Sequence, residues 1–282
     1  MKFRWIIFTV LCLLPAQLFA GVQISDYTAA KLREFSVYRM HFSAYENVYD
    51  VLNDIDTFEA EIQKNLAREA VDYEQEKLIW ESEFAMERYV YKFDLDKGQK
   101  NIRIMLREQM KRNEAWLKDH EATDGANKWL YVLTGDVTSC YMTFSVAVTL
   151  LKGLWVRELY EKAVEQDPLF QQANTNLGQW LFYAPGIFGG GKKKALARFQ
   201  QAYDGARTEV EQYFAGVYLS QGLLENKESA LSSQYLSKSD KMNPNSKWIA
   251  TIKRINAQNI SLFKYNRKRS GIDDNDPNAT EL

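Results

Sequence analysis

The sequence predicts an all-α chain of stacked helical hairpins, and three observations carry that prediction. Helix breakers are scarce, with only five prolines and 14 glycines in 282 residues, while the good helix formers Leu, Ala, Glu, Lys and Gln are common. Between Ile24 and Lys268 apolar residues recur at three- and four-residue steps, with almost no strand-like alternation. Beyond Ala126 a spacing of small and large residues returns, with Pro168 and Pro244 closing two of its units, the mark of an internal repeat.

The elements follow in order. Lys2 and Arg4 precede an apolar stretch, Trp5 to Leu14, then Pro15 and a small-residue exit ending at Ala20. This is the layout of a secretory signal peptide over residues 1–20, too short to span a bilayer. Export to the periplasm or the exterior is therefore expected. Cys12 is followed by further apolar residues, which argues against a lipid-anchor cysteine. Residues 21–124 read as an N-terminal helical region. Helices are expected over Ser25 to Phe42, Tyr45 to Leu66, Asp72 to Phe93 and Gln99 to Lys118. In the second, Val48, Val51, Leu52, Ile55, Phe58 and Ile62 form one stripe. Asp94 to Gly98 reads as a turn, and Asp119 to Gly125 as a loop.

Residues 125–268 carry the repeat and its cap. With Pro168 closing one unit, Tyr160 and Ala163 take its large and small positions. In the same register Leu177 and Gly178 form the apolar–small pair of the next first helix. Ala195, Phe199 and Ala202 follow as its second-helix triplet, delayed by about five inserted residues. Pro244 closes a third unit with Ser232, Leu236 and Ser239, whose first helix carries Leu219, Ser220 and Leu223. This is the pattern of a tetratricopeptide-like helical-hairpin repeat solenoid, about 34 residues per unit. Asn245 to Lys268, with Trp248, Ile249, Ile252, Ile255, Ile260 and Phe263, reads as a C-terminal capping helix, which such a solenoid needs to close its core. Residues 269–282 are polar and read as a disordered tail.

Ala184-Pro185-Gly186-Ile187-Phe188-Gly189-Gly190-Gly191-Lys192 goes beyond a generic repeat. With the triplet that follows it, the upstream Leu159 to Ala163 run, Asp167-Pro168 and an apolar helix around Tyr141 to Leu151, it resembles the periplasmic T-component family of TRAP transporters. The resemblance covers roughly Trp129 to Pro244. It implies an exported all-helical protein that associates with a periplasmic solute-binding protein, passes a hydrophobic small molecule and self-associates. The chain departs from that picture in its anchor and in the long region from Ile24 to His120.

Composition narrows the function. Net charge is −1, from 36 basic and 37 acidic side chains, so no nucleic-acid partner is expected. Gly186 to Lys192 matches most of a phosphate-binding loop, but Lys193 stands where a magnesium-binding Ser or Thr belongs and a helix, not a strand, precedes it. A plain inter-helix bridge is the better reading. Lys192 to Lys194 read as a solvated charge run. The two histidines, His41 and His120, lack ligand spacing, and Cys140 is the lone thiol left after cleavage. Glu74, Glu76, Glu81, Glu83 and Glu87, flanked by Lys77 and Arg88, read as a charged outer face. A catalytic role would need Glu83, Glu87 or His120 brought together in a deep pocket.

The expectation is thus a non-catalytic accessory subunit of a solute transporter, without metal or cofactor. The alternative is a general exported scaffold for assembly of envelope proteins. Ligand or partner contact is expected at Trp180, Phe182, Tyr183, Pro185, Phe188, Gly189 and Gly190, where aromatic rings crowd the end of a repeat helix.

Overall fold

A computed structural model describes residues 22–93, 95, 100–120 and 125–270. The described residues hold twelve α-helices and one short 3-10 turn, with no strand. The signal-peptide segment and residues 271–282 of the tail lie outside them, as does most of the turn at Asp94 to Gly98.

Four helices come first: α1 (Asp26–Phe42), α2 (Val48–Glu69), α3 (Tyr73–Lys92) and α4 (Lys100–His120). Ser25, Asn47 and Asp72 begin α1, α2 and α3 by accepting a hydrogen bond from a first-turn N–H. Then α5 (Lys128–Met142) pairs with α6 (Val146–Gln166), α7 (Gln171–Tyr183) with α8 (Lys192–Asp204), and α9 (Glu209–Glu225) with α10 (Ser229–Met242). The chain ends in α11 (Lys247–Asn256) and α12 (Leu262–Arg269).

One packing device recurs in the three hairpins. A glycine on the first helix lets a side chain of the second lie directly on its backbone. A Cβ on Gly135 would sit 2.5 Å from the Tyr160 ring, on Gly178 2.5 Å from the Phe199 ring, and on Gly216 2.5 Å from Ser239 Oγ. Tyr160, Ala163, Ala195, Phe199, Ala202, Ser232, Leu236 and Ser239, the positions named by the repeat spacing, are all buried. The fold is therefore a tetratricopeptide-like stack of helical hairpins.

Three details differ from the sequence expectation. The apolar stretch Tyr141 to Leu151 is not one helix: α5 stops at Met142, and Ser145 caps α6 by accepting from Val148 N. The capping helix is two, because Asn259 adopts a positive φ of 59° and Ser261 starts α12 by accepting from Lys264 N. The segment Asp119 to Gly125 is not all loop, since Asp119 and His120 complete α4.

The first helices α5, α7 and α9 succeed one another beside α3, and α1 closes the arrangement. Phe35 of α1 packs on Phe58, Trp80 and Phe84 of α2 and α3, while Met40 joins Tyr213, Val217 and Ile249 at the other end of the stack. Asn243 Nδ2 donates to Met40 O at 2.6 Å and Lys247 N to Ser43 O at 2.9 Å. The two ends of the repeat array thus meet through α1.

Candidate functional site

The expected contact residues lie at the end of α7 and in the glycine loop. Trp180 is half-buried. Its Nε1 donates to Gly153 O at 2.8 Å, and the Arg157 guanidinium lies over its ring. Phe182 and Tyr183 meet α12: Phe263 stacks on Phe182 with ring centres 4.4 Å apart, and Tyr183 OH donates to Phe263 O at 3.3 Å. Phe263 itself is fully buried and also lies parallel to Phe199 and Tyr218. The aromatic slot at the end of α7 is thus filled by the chain's own C-terminal helix.

Pro185 opens a 3-10 turn over Gly186–Phe188. Gly189 follows at a φ of 90°, a region L side chains avoid. A Cβ on Gly190 would fall 1.9 Å from the Ala184 carbonyl oxygen, so only glycine fits there. The loop N–H groups are spent on the chain's own carbonyls: Phe188 N and Gly190 N donate to Pro185 O, Gly189 N to Gly186 O and Gly191 N to Leu181 O. They do not form a phosphate cradle, and the loop is an inter-helix bridge. Lys192 pairs with Glu225, and Lys194 Nζ donates to Gly189 O at 3.0 Å. Phe188 is 47% exposed, and Ile187, which the sequence did not single out, is 87% exposed.

A second centre lies on the inner side, where helices from both ends of the stack converge. Arg39 of α1 approaches Glu83 Oε1 at 3.0 Å and Glu87 Oε1 at 2.5 Å, both on α3. Its guanidinium also lies over Phe214 of α9. Asp136 of α5 accepts from Tyr160 OH at 2.9 Å, Asn176 Nδ2 at 2.7 Å and Gln172 Nε2 at 3.3 Å. These bonds tie α5, α6 and α7 together around one carboxylate.

The electrostatics follow from one cation among three carboxylates in a place poor in water. Burial pushes Glu83 up to about 7, assisted by the Glu87 and Asp136 charges and only partly offset by Arg39. Burial likewise lifts Asp136 to about 6 against its three hydrogen bonds and the Arg39 charge. Tyr218 of α9 is driven to about 12, chiefly by burial. Burial also raises the Cys140 thiol, and the nearby Asp136 charge adds to it, which leaves a protonated and unreactive sulfur.

The outer-face reading of the glutamates is overturned for three of the five. Glu76 is fully buried, Glu83 is 3% exposed and Glu87 5%. Glu74 and Glu81 keep solvent contact. Glu76 accepts from Ser25 N at 2.9 Å, Ser25 Oγ at 2.6 Å, Thr28 Oγ1 at 2.5 Å and Val71 N at 2.9 Å. Burial would raise its pKa, but these hydrogen bonds outweigh it and lower the group. His120 takes no part: it stacks on Trp116 and its Nδ1 lies 2.7 Å from Trp116 O. His41 is exposed on α1. Among the described residues no three of His, Cys, Asp and Glu are placed to hold a metal ion.

A third surface was missed altogether. On the first half of α6, Val146 is 76% exposed, Leu150 80%, Leu151 82% and Leu154 50%. An apolar run in a repeat helix reads as core, yet this stretch faces outward.

No family model matches the sequence, and the search of curated proteins found no match. Among solved structures, this chain is similar to YrrB, described as a tetratricopeptide-repeat protein with an unusual peptide-binding site. The two are 14% identical with a TM-score of 0.40, over 80% of this chain and 99% of that one.

Proposed function

We propose that this chain is an exported, non-catalytic scaffold that holds a partner protein on its inner side. In finer terms it is a periplasmic accessory subunit of a solute transporter that receives a substrate-binding protein. The observation that carries the reading is the inner face itself. Asp136 and Ser139 on α5, Gln172, Asn176 and Gln179 on α7, and Tyr218 on α9 are largely buried but keep part of their surface open to solvent. Several are fixed by mutual hydrogen bonds, as at Asp136, Gln172 and Asn176. Preset donors and acceptors spaced along successive helices lose little entropy on binding and suit an extended segment of a partner.

The transporter assignment rests on the glycine-loop resemblance. An apolar ligand would enter at Phe182 and Tyr183, in the slot held by Phe263. Opening that slot requires α12 to move away.

The test is cross-linking in the native envelope from a photoreactive side chain at Gln179, followed by mass spectrometry of the adducts. Recovery of a solute-binding protein, joined to a membrane permease in a parallel pull-down, supports the transporter reading. Adducts with unrelated envelope proteins leave the general scaffold and remove the transporter. No adduct from Gln179 removes the inner face as the binding surface.

A further inference from the structure

The exposed run on α6 is part of a larger ridge. Val146, Leu150, Leu154 and Arg157 fall at four-, four- and three-residue steps, so they share one stripe of the helix. Leu151 lies beside it. The glycine loop lies against the end of this stripe. A Cβ on Gly189 would sit 3.1 Å from Arg157 Nη1, and Trp180 ties α7 to Gly153 of α6. Ile187 and Phe188 therefore extend the apolar surface begun by the leucines.

Cations border the ridge on both sides. α4 packs on α5 and reaches the ridge at two points, with Glu114 paired to Lys152 of α6 at 2.5 Å and the Arg103 guanidinium over Phe144 just ahead of α6. From Lys100 to Arg112 this helix carries Lys100, Arg103, Arg107, Lys111 and Arg112 against the single acid Glu108. Lys100, Arg103, Ile104 and Arg107 line a shallow depression with Tyr141, close to the start of α6. On the other side Lys193 and Lys194 stand in the first turn of α8, with Lys194 Nζ donating to Gly189 O of the glycine loop. The nearby carboxylates Glu114 and Glu161 are taken up by Lys152 and Arg157. Glu158 lies beyond the last leucine.

We propose that this ridge is a docking surface for an anionic lipid bilayer. Val146, Leu150, Leu151 and Ile187 enter the interfacial region, and the cations of α4 and α8 lie at the headgroup phosphates. Large aliphatic side chains that protrude, rimmed by Lys and Arg, match the two terms of peripheral membrane binding, apolar insertion and attraction to anionic lipid. A second copy fits less well, because self-pairing would set two cationic rims against each other. No described helix is long and apolar enough to cross a membrane. This surface is separate from the inner face and does not depend on it.

The test is co-sedimentation of the purified full chain with vesicles containing phosphatidylglycerol, beside vesicles of phosphatidylcholine alone. Binding to the former that weakens with salt is expected. The double variant Leu150→Ser/Leu151→Ser should reduce it at least about tenfold, since each leucine removes several inserted methylenes. Arg103→Gln/Arg107→Gln should reduce it most at low salt. Both pairs are exposed, so circular dichroism and Tm should match the parent. Val71→Ser, at a position 73% exposed on the α2–α3 connection, should leave binding intact. Absence of binding to phosphatidylglycerol vesicles overturns the proposal, as does binding indifferent to the leucine pair. So does a dimer in analytical ultracentrifugation that the leucine pair dissolves while vesicles capture nothing.

Discussion

Substituting Gly178→Ala tests the packing device on which the hairpins depend. In an isolated helix the change would stabilise by about 1 kcal/mol through backbone propensity. Here the new methyl would lie 2.5, 2.7 and 3.1 Å from three ring carbons of Phe199. The ring cannot retreat. On its far side Gly222 is so close that a Cβ there would come within 2.7 Å of it, and Phe263 and Tyr218 lie parallel to it at 5.5 and 6.3 Å between ring centres. Forcing a methyl into a filled core costs about 1–3 kcal/mol. Set against the propensity gain, a net loss of up to about 2 kcal/mol is expected, or a fall in Tm of up to several degrees at about 2–4 °C per kcal/mol. The paired control is Gly153→Ala on α6, where a Cβ meets nothing within 4 Å. That variant should gain up to about 1 kcal/mol. Urea unfolding followed by tryptophan fluorescence measures both. Adding Phe199→Leu to Gly178→Ala should recover part of the loss, a coupling that unrelated sites do not show. A Gly178→Ala protein as stable as Gly153→Ala would refute the packing argument.

Three further outcomes follow from the buried polar groups and from α12. Arg39→Met strands Glu83 and Glu87, whose side chains are 4% and 6% exposed, and should cost about 3 kcal/mol in urea unfolding at neutral pH. Glu83→Gln in that background should recover part of it. A carboxyl raised on folding binds its proton more tightly in the native state, so its contribution is greatest below the ordinary value near 4.5 and falls as pH rises to about 7. Urea unfolding across that window should show a decline of about 3 kcal/mol from this group, and Glu83→Gln should flatten it. Asp167, held near 2 by its Arg207 and Lys128 hydrogen bonds against burial, acts in the opposite sense and only below the ordinary value of 3.8. Phe263→Ala should cost about 3–5 kcal/mol and open the slot beside Phe182 and Tyr183, read out as increased binding of a fluorescent apolar probe.

The parts of the fold legible in the sequence were those set by neighbours within one or two helices. Ala195, Phe199 and Ala202 are spaced by the helical pitch, and Pro168 and Pro244, just after α6 and α10, fix the frame, so local spacing sufficed. The small partner of Tyr160 was visible in principle, because Gly135 is an isolated glycine inside an apolar helix, a costly choice without a packing reason. The boundary at Ser145 was hidden by apolar residues on both sides of it. The buried glutamates could not be read at all. Glu83 and Glu87 stand four residues apart among charged neighbours, as solvated pairs do, and the cation they meet is 44 residues upstream of Glu83. Glu76 is matched by Ser25 and Thr28, 51 and 48 residues away. A charged residue looks exposed in sequence unless its partner is local.

That same distance explains why α1 matters to the whole molecule. A hairpin repeat contacts only its neighbours, and an array of them has two open ends. Arg39 reaches α3 with its guanidinium and α9 through Phe214, while Met40 and Ser43 offer carbonyls to Asn243 and Lys247, 203 and 204 residues on. One helix therefore satisfies the carboxylates of the early helices and the backbone-facing donors of the last ones. Weakening Arg39 removes a cation from α3 and a contact from α9 together. The two ends of the stack should consequently unfold in one step in the parent and separate in Arg39→Met, with hydrogen exchange in α9 to α11 accelerating before exchange in α5 to α8. Uniform acceleration across all these helices would show that α1 is only one more packed helix and that the closure is not what couples the ends.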